Sequence, residues 1–210
     1  TTKGVMLLID AGANMDAKPE YLLQFAQMGS IYMEHVVGIP SPRVALVNVG
    51  LEEAKGNQLI KETAPLLKAC EGLNYKGSIE AREIPDGAAD VVLCDAFVGN
   101  VILKLSEGLS KVLVKEIKGG IMSSLRSKIG GALALPALKK TLKRFDASEY
   151  GGAPLLGLNG LVVKVHGSAT SKEMRNAIIQ CITFTEQQIN EKIKEEILKG
   201  KEKQNEKKKD

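Results

Sequence analysis

The sequence predicts an α/β fold, a parallel sheet with helices packed on it, and two observations carry that prediction. Short, continuous apolar runs such as Val5-Met6-Leu7-Leu8-Ile9 have the pattern of strands buried on both faces. Between them lie longer stretches with apolar residues at helical spacing, so strand-like and helix-like segments alternate along the chain.

The elements follow in order. Residues 5–9 form the first strand, and Pro19 suits the first turn of the helix after it. Leu22, Phe25, Ala26, Tyr32, Met33, Val36 and Val37 continue that helix until Gly38 ends it. Residues 43–49 read as the next strand, 58–70 as a helix, and 75–81 and 91–94 as two more short strands. A helix over 101–118 carries Val101, Leu105, Leu109, Val112 and Leu113 along one side. Residues 161–165 read as the last strand and 171–198 as one long closing helix. The Lys- and Glu-rich tail, 201–210, has the composition of a disordered segment. A start at Thr1 with a buried-type strand almost at once reads as a truncation of a longer protein.

Composition excludes several classes. Aromatic residues make up 4% with no Trp, which argues against a stacking surface for nucleic acid. Three scattered cysteines (Cys70, Cys94, Cys181) argue against a disulfide framework and for a reducing compartment. No apolar run is long enough to span a bilayer. Charge is unevenly spread. Residues 111–144 hold nine basic residues against one acid, Glu116, a balance of +8 in a chain whose total is +4. A local basic surface on an otherwise acidic chain points to a partner.

Ligands of open parallel sheets bind at the carboxyl ends of the strands. Four predicted strand ends carry Gly and small polar residues: Asp10-Ala11-Gly12-Ala13-Asn14, then Asn48-Val49-Gly50 leading to Lys55-Gly56-Asn57, then Asp95-Ala96-Phe97-Val98-Gly99-Asn100, and His166-Gly167-Ser168. Such loops suit anions, because Gly lets backbone N–H groups approach and a helix amino terminus adds more. Each residue also has a plainer reading. Lys55 is either a phosphate ligand or an exposed lysine at a helix start, Asn100 a ligand or a helix cap, and His166 a ligand or a structural imidazole. His35 reads as structural, and Cys94 as a small buried thiol. GxGxxG, Walker A, zinc and GxSxG patterns are all missing.

These stretches resemble the phosphate acyltransferase family of bacterial phospholipid synthesis, which makes acyl-phosphate from acyl-acyl carrier protein and inorganic phosphate. The resemblance rests on Leu8-Ile9-Asp10-Ala11-Gly12-Ala13-Asn14, Gln24-Phe25-Ala26-Gln27-Met28-Gly29, Pro42-Arg43-Val44-Ala45-Leu46-Val47-Asn48-Val49-Gly50, Glu53-Ala54-Lys55-Gly56-Asn57, Asp95-Ala96-Phe97-Val98-Gly99-Asn100-Val101, Tyr150-Gly151-Gly152-Ala153-Pro154-Leu155-Leu156-Gly157 and His166-Gly167-Ser168, in the family's order. It implies a doubly wound α/β/α architecture similar to phosphotransacetylases and isopropylmalate dehydrogenases, usually dimeric, with residues 1–200 forming the carboxyl-terminal part of one domain. The family's amino-terminal portion, with a phosphate loop of its own, has no counterpart here. Lys55 and Asn100 become the central catalytic pair, with Asn14, Gly56, Asn57, Gly99, His166, Gly167 and Ser168 around phosphate. No metal or cofactor is implied. The setting is cytoplasmic, and a glycerol-phosphate acyltransferase would be a downstream partner.

Residues 121–144 interleave apolar and basic side chains, and Gly130-Gly131 and Pro136 predict two helices with a bent apolar tip. As a protruding basic amphipathic hairpin, spanning about 111–146, the segment fits docking on an anionic membrane through Leu133, Leu135, Lys139, Lys140, Lys143 and Arg144. The same charge suits an acidic carrier protein, and the plainer reading is a hairpin packed on its own domain or a second subunit. A phosphate acetyltransferase and a non-catalytic membrane-recruited scaffold are the rival functions.

Overall fold

A computed structural model describes residues 1–52, 54–143 and 151–206, with 200–206 as backbone only. Its centre is a four-stranded parallel sheet of β1 (Leu7–Ile9), β2 (Val44–Asn48), β3 (Tyr75–Glu80) and β4 (Val91–Leu93), in the order β1-β4-β2-β3. Every residue of β2 and β4 is buried, which is why these runs are continuously apolar and do not alternate.

Successive residues still divide between two cores. Val44, Leu46, Val91 and Leu93 face α1 (Pro19–Tyr32), α2 (Gln58–Ala69) and the closing helices. Ala45, Val47, Val92 and Cys94 face the other way, against Ile79, Ile84 and Ala89, with Val98 and Ile102 beside them. The winding explains the division. The steps β1 to β2 and β2 to β3 run in one direction across the sheet, so right-handed crossovers place α1 and α2 on one face. The return from β3 to β4 runs backwards, so the connecting residues Ile84, Ala88 and Ala89 fall on the opposite face. This is a mixed α/β fold with a parallel sheet flanked by helices, compatible with a doubly wound α/β/α architecture.

The first helix keeps Pro19 at its start, closes through a π-helical turn at Met33–Val37, and ends at Gly38 in the left-handed conformation (φ 82°). Three sequence-based expectations need correction. Residues 161–165 do not extend the parallel sheet. Val163–Lys164 (β6) pairs antiparallel with Ala153–Pro154 (β5) in a separate ribbon. The closing helix is two, α5 (Ser171–Glu186) and α6 (Ile189–Glu206), broken where Gln188 adopts a positive φ of 51°. The break lets Ile189 and Ile193 enter the core beside Phe184.

The third correction concerns the basic segment. Helix α3 runs from Ala96 to Met122, and the chain turns at Ser123-Ser124 into α4 (Leu125–Lys143), which is continuous through Gly130, Gly131 and Pro136. The glycines make no turn here. A Cβ on Gly131 would lie 2.3 Å from Ile121 Cγ2, so its missing side chain lets α4 approach α3 closely. The apolar side of α3 (Val101, Leu105, Leu109, Val112, Leu113) stays about half exposed, and α4 has no buried residue among those described. Arg144, Tyr150 and Glu53, which belong to stretches singled out from the sequence, lie outside the described residues.

Candidate functional site

Three of the four glycine-bearing loops leave the carboxyl edge of the sheet, after β1, β4 and β2. Because β4 lies between β1 and β2, its loop and the start of α3 stand between the other two.

The loop after β1 is wound around a buried carboxylate. Asp10 Oδ1 accepts from the backbone N–H groups of Gly12 (2.9 Å) and Ala13 (2.8 Å), and Oδ2 from the N–H (2.7 Å) and Nδ2 (2.8 Å) of Asn14. Burial raises the pKa of Asp10, and these four hydrogen bonds more than offset that, so it lies below the ordinary carboxylate value. Asn14 thus spends an amide donor on Asp10.

The start of α3 presses onto this loop. The Asp95 carboxylate caps the helix, accepting from Phe97 N (2.9 Å) and Val98 N (3.0 Å). Asn100 is therefore in the second turn and is not the cap, which removes one of its plainer readings. Its Nδ2 reaches across to donate to the Ala11 carbonyl at 3.3 Å. Gly99 makes the approach possible, since a Cβ there would lie 1.8 Å from the Asp10 carbonyl oxygen. Cys94 is buried and its thiol, donating to the Asp10 carbonyl at 3.5 Å, is pushed far up by burial and by the nearby carboxylates. It is not an available nucleophile.

The loop after β2 is held by buried Asn48. Its Oδ1 accepts from Val49 N (2.8 Å), and its Nδ2 donates to the Lys55 carbonyl (3.3 Å) and Ser78 Oγ (3.4 Å). Gly56, at φ 97°, lies against Asn48 Oδ1, and Asn57 caps α2 by accepting from Ile60 N at 3.0 Å. Lys55 is half exposed, and its Nζ pairs with Glu52 Oε1 at 2.8 Å. No hydrogen bond joins Lys55 to Asn100 among the described residues.

His166, Gly167 and Ser168 follow β6 of the separate ribbon, so they do not end a strand of the parallel sheet. They are exposed, and His166 Nδ1 bonds the hydroxyl of Ser168 at 2.7 Å. The structure therefore places Asn14, Gly99 and Asn100 at the loops after β1 and β4, and Lys55, Gly56 and Asn57 at the loop after β2, while 166–168 follow the separate ribbon. It also changes how an anion could be held. The amides of the first loop, and two of those opening α3, already serve Asp10 and Asp95. The side chains this edge presents beside those loops include the half-exposed Lys55 and the carboxamide of Asn100. Sequence reasoning passed over Asp10 and Asn48. The available signal was their place as the last polar residue of an apolar strand before a glycine loop.

Fold and edge together define an α/β protein with polar, glycine-bearing loops at the carboxyl ends of its parallel strands. The family model described as "Fatty acid synthesis protein" matches residues 1–192, and the chain belongs to that family. Over 196 residues it is 48% identical to a phosphate acyltransferase of Brevibacillus brevis and 49% identical to one of Alkaliphilus oremlandii. It is 48% identical over 191 residues to the phosphate acyltransferase of Clostridium acetobutylicum. These matches cover 91–93% of this chain and 57–58% of the relatives' length.

Proposed function

We propose that this chain is part of an enzyme that transfers a long-chain fatty acyl group from acyl-acyl carrier protein to inorganic phosphate, giving acyl-phosphate for phospholipid synthesis. The observation that carries the reading is a strand-end edge with a lysine and an asparagine and, among the described residues, no available thiol nucleophile, in a chain about half identical to proteins named phosphate acyltransferase. Phosphate is itself the nucleophile. Its oxygen bonds to the thioester carbonyl carbon, and the carbonyl becomes an oxyanion. Collapse then breaks the carbon–sulfur bond, and the proton lost from hydrogen phosphate ends on the carrier thiol. In this reading Lys55 compensates the charge of phosphate and oxyanion, leaving Glu52 as it does so, and Asn100 orients the reacting groups by hydrogen bonds. Asn14, Gly56, Asn57 and Gly99 shape the site, with His166, Gly167 and Ser168 as further phosphate contacts. The test is release of carrier thiol from a long-chain acyl-acyl carrier protein by the full-length protein. Release that requires phosphate supports the reading. Preference for acetyl-coenzyme A would make it an acetyltransferase, and no phosphate-dependent release would leave a scaffold.

The proposal extends to location: a cytoplasmic homodimer, peripheral to the membrane, handing acyl-phosphate to a glycerol-phosphate acyltransferase. Helices α3 and α4 supply the docking hairpin. Leu125, Ile129 and Leu133, spaced four residues apart, are between 57% and 80% exposed, and Leu135 is about half exposed. Lys139, Lys140 and Lys143 follow them on α4 and are exposed. Replacing Leu133 and Leu135 with Glu is expected to abolish binding to anionic vesicles while acyl-phosphate formation in solution survives. Neutralising Lys139, Lys140, Lys143 and Arg144 should weaken binding and flatten its salt dependence. Co-sedimentation at low and high salt reads both, and binding equal to the parent's would make the hairpin a packing or dimer element.

A further inference from the structure

We infer that Asp10 is a positioning residue that sets Asn100 through the loop 10–14; the inference rests on the role proposed for Asn100. Asp10 is 6% exposed, yet its carboxylate makes no ion pair among the described residues. All four donors it accepts come from within the next four residues, Gly12, Ala13 and Asn14. A carboxylate is the one side chain of this size with two pure acceptor oxygens, so it can gather four donors where Asn could not. What the gathered loop offers outward is the Ala11 carbonyl, and the donor that takes it is Asn100 Nδ2. Gly12 faces the same carboxamide, since a Cβ on it would lie 2.9 Å from Asn100 Nδ2. The Asp10 backbone oxygen meanwhile abuts Gly99, one residue before Asn100. Two contacts from one short loop thus meet the Asn100 side chain, and a third meets the residue before it. The same hydrogen bonds outweigh burial and favour the carboxylate form of Asp10.

Acting only through geometry, Asp10 should govern turnover more than phosphate binding. Asp10→Asn is expected to lower kcat about a hundredfold, the scale of a small misplacement, with KM for phosphate changed less than about threefold. The deciding measurement is a double-mutant cycle. In an Asn100→Ala background, Asp10→Asn should cost no more than about a further twofold, because its route to the chemistry is already gone. Additive losses would overturn the inference, as would an Asp10→Asn protein with parental kcat. Gly12→Ala is the second variant: it keeps the Asp10 carboxylate but strains the loop at φ 124° and crowds the carboxamide, and it should show the same coupling. Two readouts do not need activity. In the unmodified protein the Gly12, Ala13 and Asn14 amide protons should exchange at least about tenfold slower than exposed loop amides. The Asn100 side-chain amide signals should also move in Asp10→Asn while the rest of the spectrum is kept. Fast exchange or unmoved signals would refute the inference even if phosphate-dependent thiol release proved absent, and that absence alone would refute only the proposed reaction.

Discussion

Lys55→Ala is expected to lower turnover of the full-length protein roughly a hundredfold or more, the usual consequence of removing one group that stabilises developing charge. Stability should hardly change, and the structure says why. The Lys55 side chain is 50% exposed and its partner Glu52 is 62% exposed, so solvent screens the pair and it adds little to stability. The loop that carries Lys55 is held by its backbone: Asn48 bonds the Lys55 carbonyl, and the Lys55 N–H donates to the Glu52 carbonyl at 3.0 Å. Those bonds survive loss of the side chain. Activity and stability therefore separate, and kcat beside a thermal melt checks both. A folded variant with more than half the parental kcat would remove Lys55 from the mechanism.

Much of the fold was legible because β2 and β4 are buried on both faces and α1 and α2 bury one side. Continuous apolar runs in β2 and β4 and helical spacing in α1 need no tertiary information to be recognised. Pro19 and Gly38 marked the ends of the first helical stretch for reasons local to the backbone. What stayed hidden depended on partners distant in sequence. Val163 and Lys164 have strand character, but only pairing decides which sheet they join, and their partner is Ala153–Pro154. Gly130-Gly131 reads as a breaker in isolation, yet Gly131 is where Ile121 of the preceding helix fits. The break at Gln188 carries no Gly or Pro to announce it.

The candidate site was legible in the same uneven way. Glycine and asparagine after apolar strands located the loops, since a short parallel strand must release its chain at the carboxyl edge. Several of their amides turn out to serve nearby carboxylates of the same loops. Asp10 and Asp95 each lie within four residues of the amides they satisfy, and short polar side chains bond nearby backbone readily. The glycines serve close approach between loop and helix more than contact with an anion.

The largest effect on stability is expected at Gly99. An added Cβ would lie 1.8 Å from the Asp10 carbonyl oxygen, 2.9 Å from its carbon and 2.9 Å from Cys94 Sγ. Two of these three atoms are backbone of the central sheet's exit, so no side-chain rotation relieves the clash. Helix α3 would have to lift from β1, opening the packing of Val98 and Ile102 on the second core face. Gly99→Ala should therefore cost about 3 kcal/mol, the upper end of what overpacking exacts. Helix propensity alone argues the opposite, since Ala in a helix interior is favoured over Gly by about 1 kcal/mol. Gly108 isolates that contribution, because it sits on the same helix with nothing within 4 Å of the position of its missing Cβ. Gly108→Ala should raise the urea midpoint while Gly99→Ala lowers it steeply. Two variants with equal midpoints would mean that α3 does not rest on Asp10 as described, and the geometry that brings Asn100 to Ala11 would fall with it.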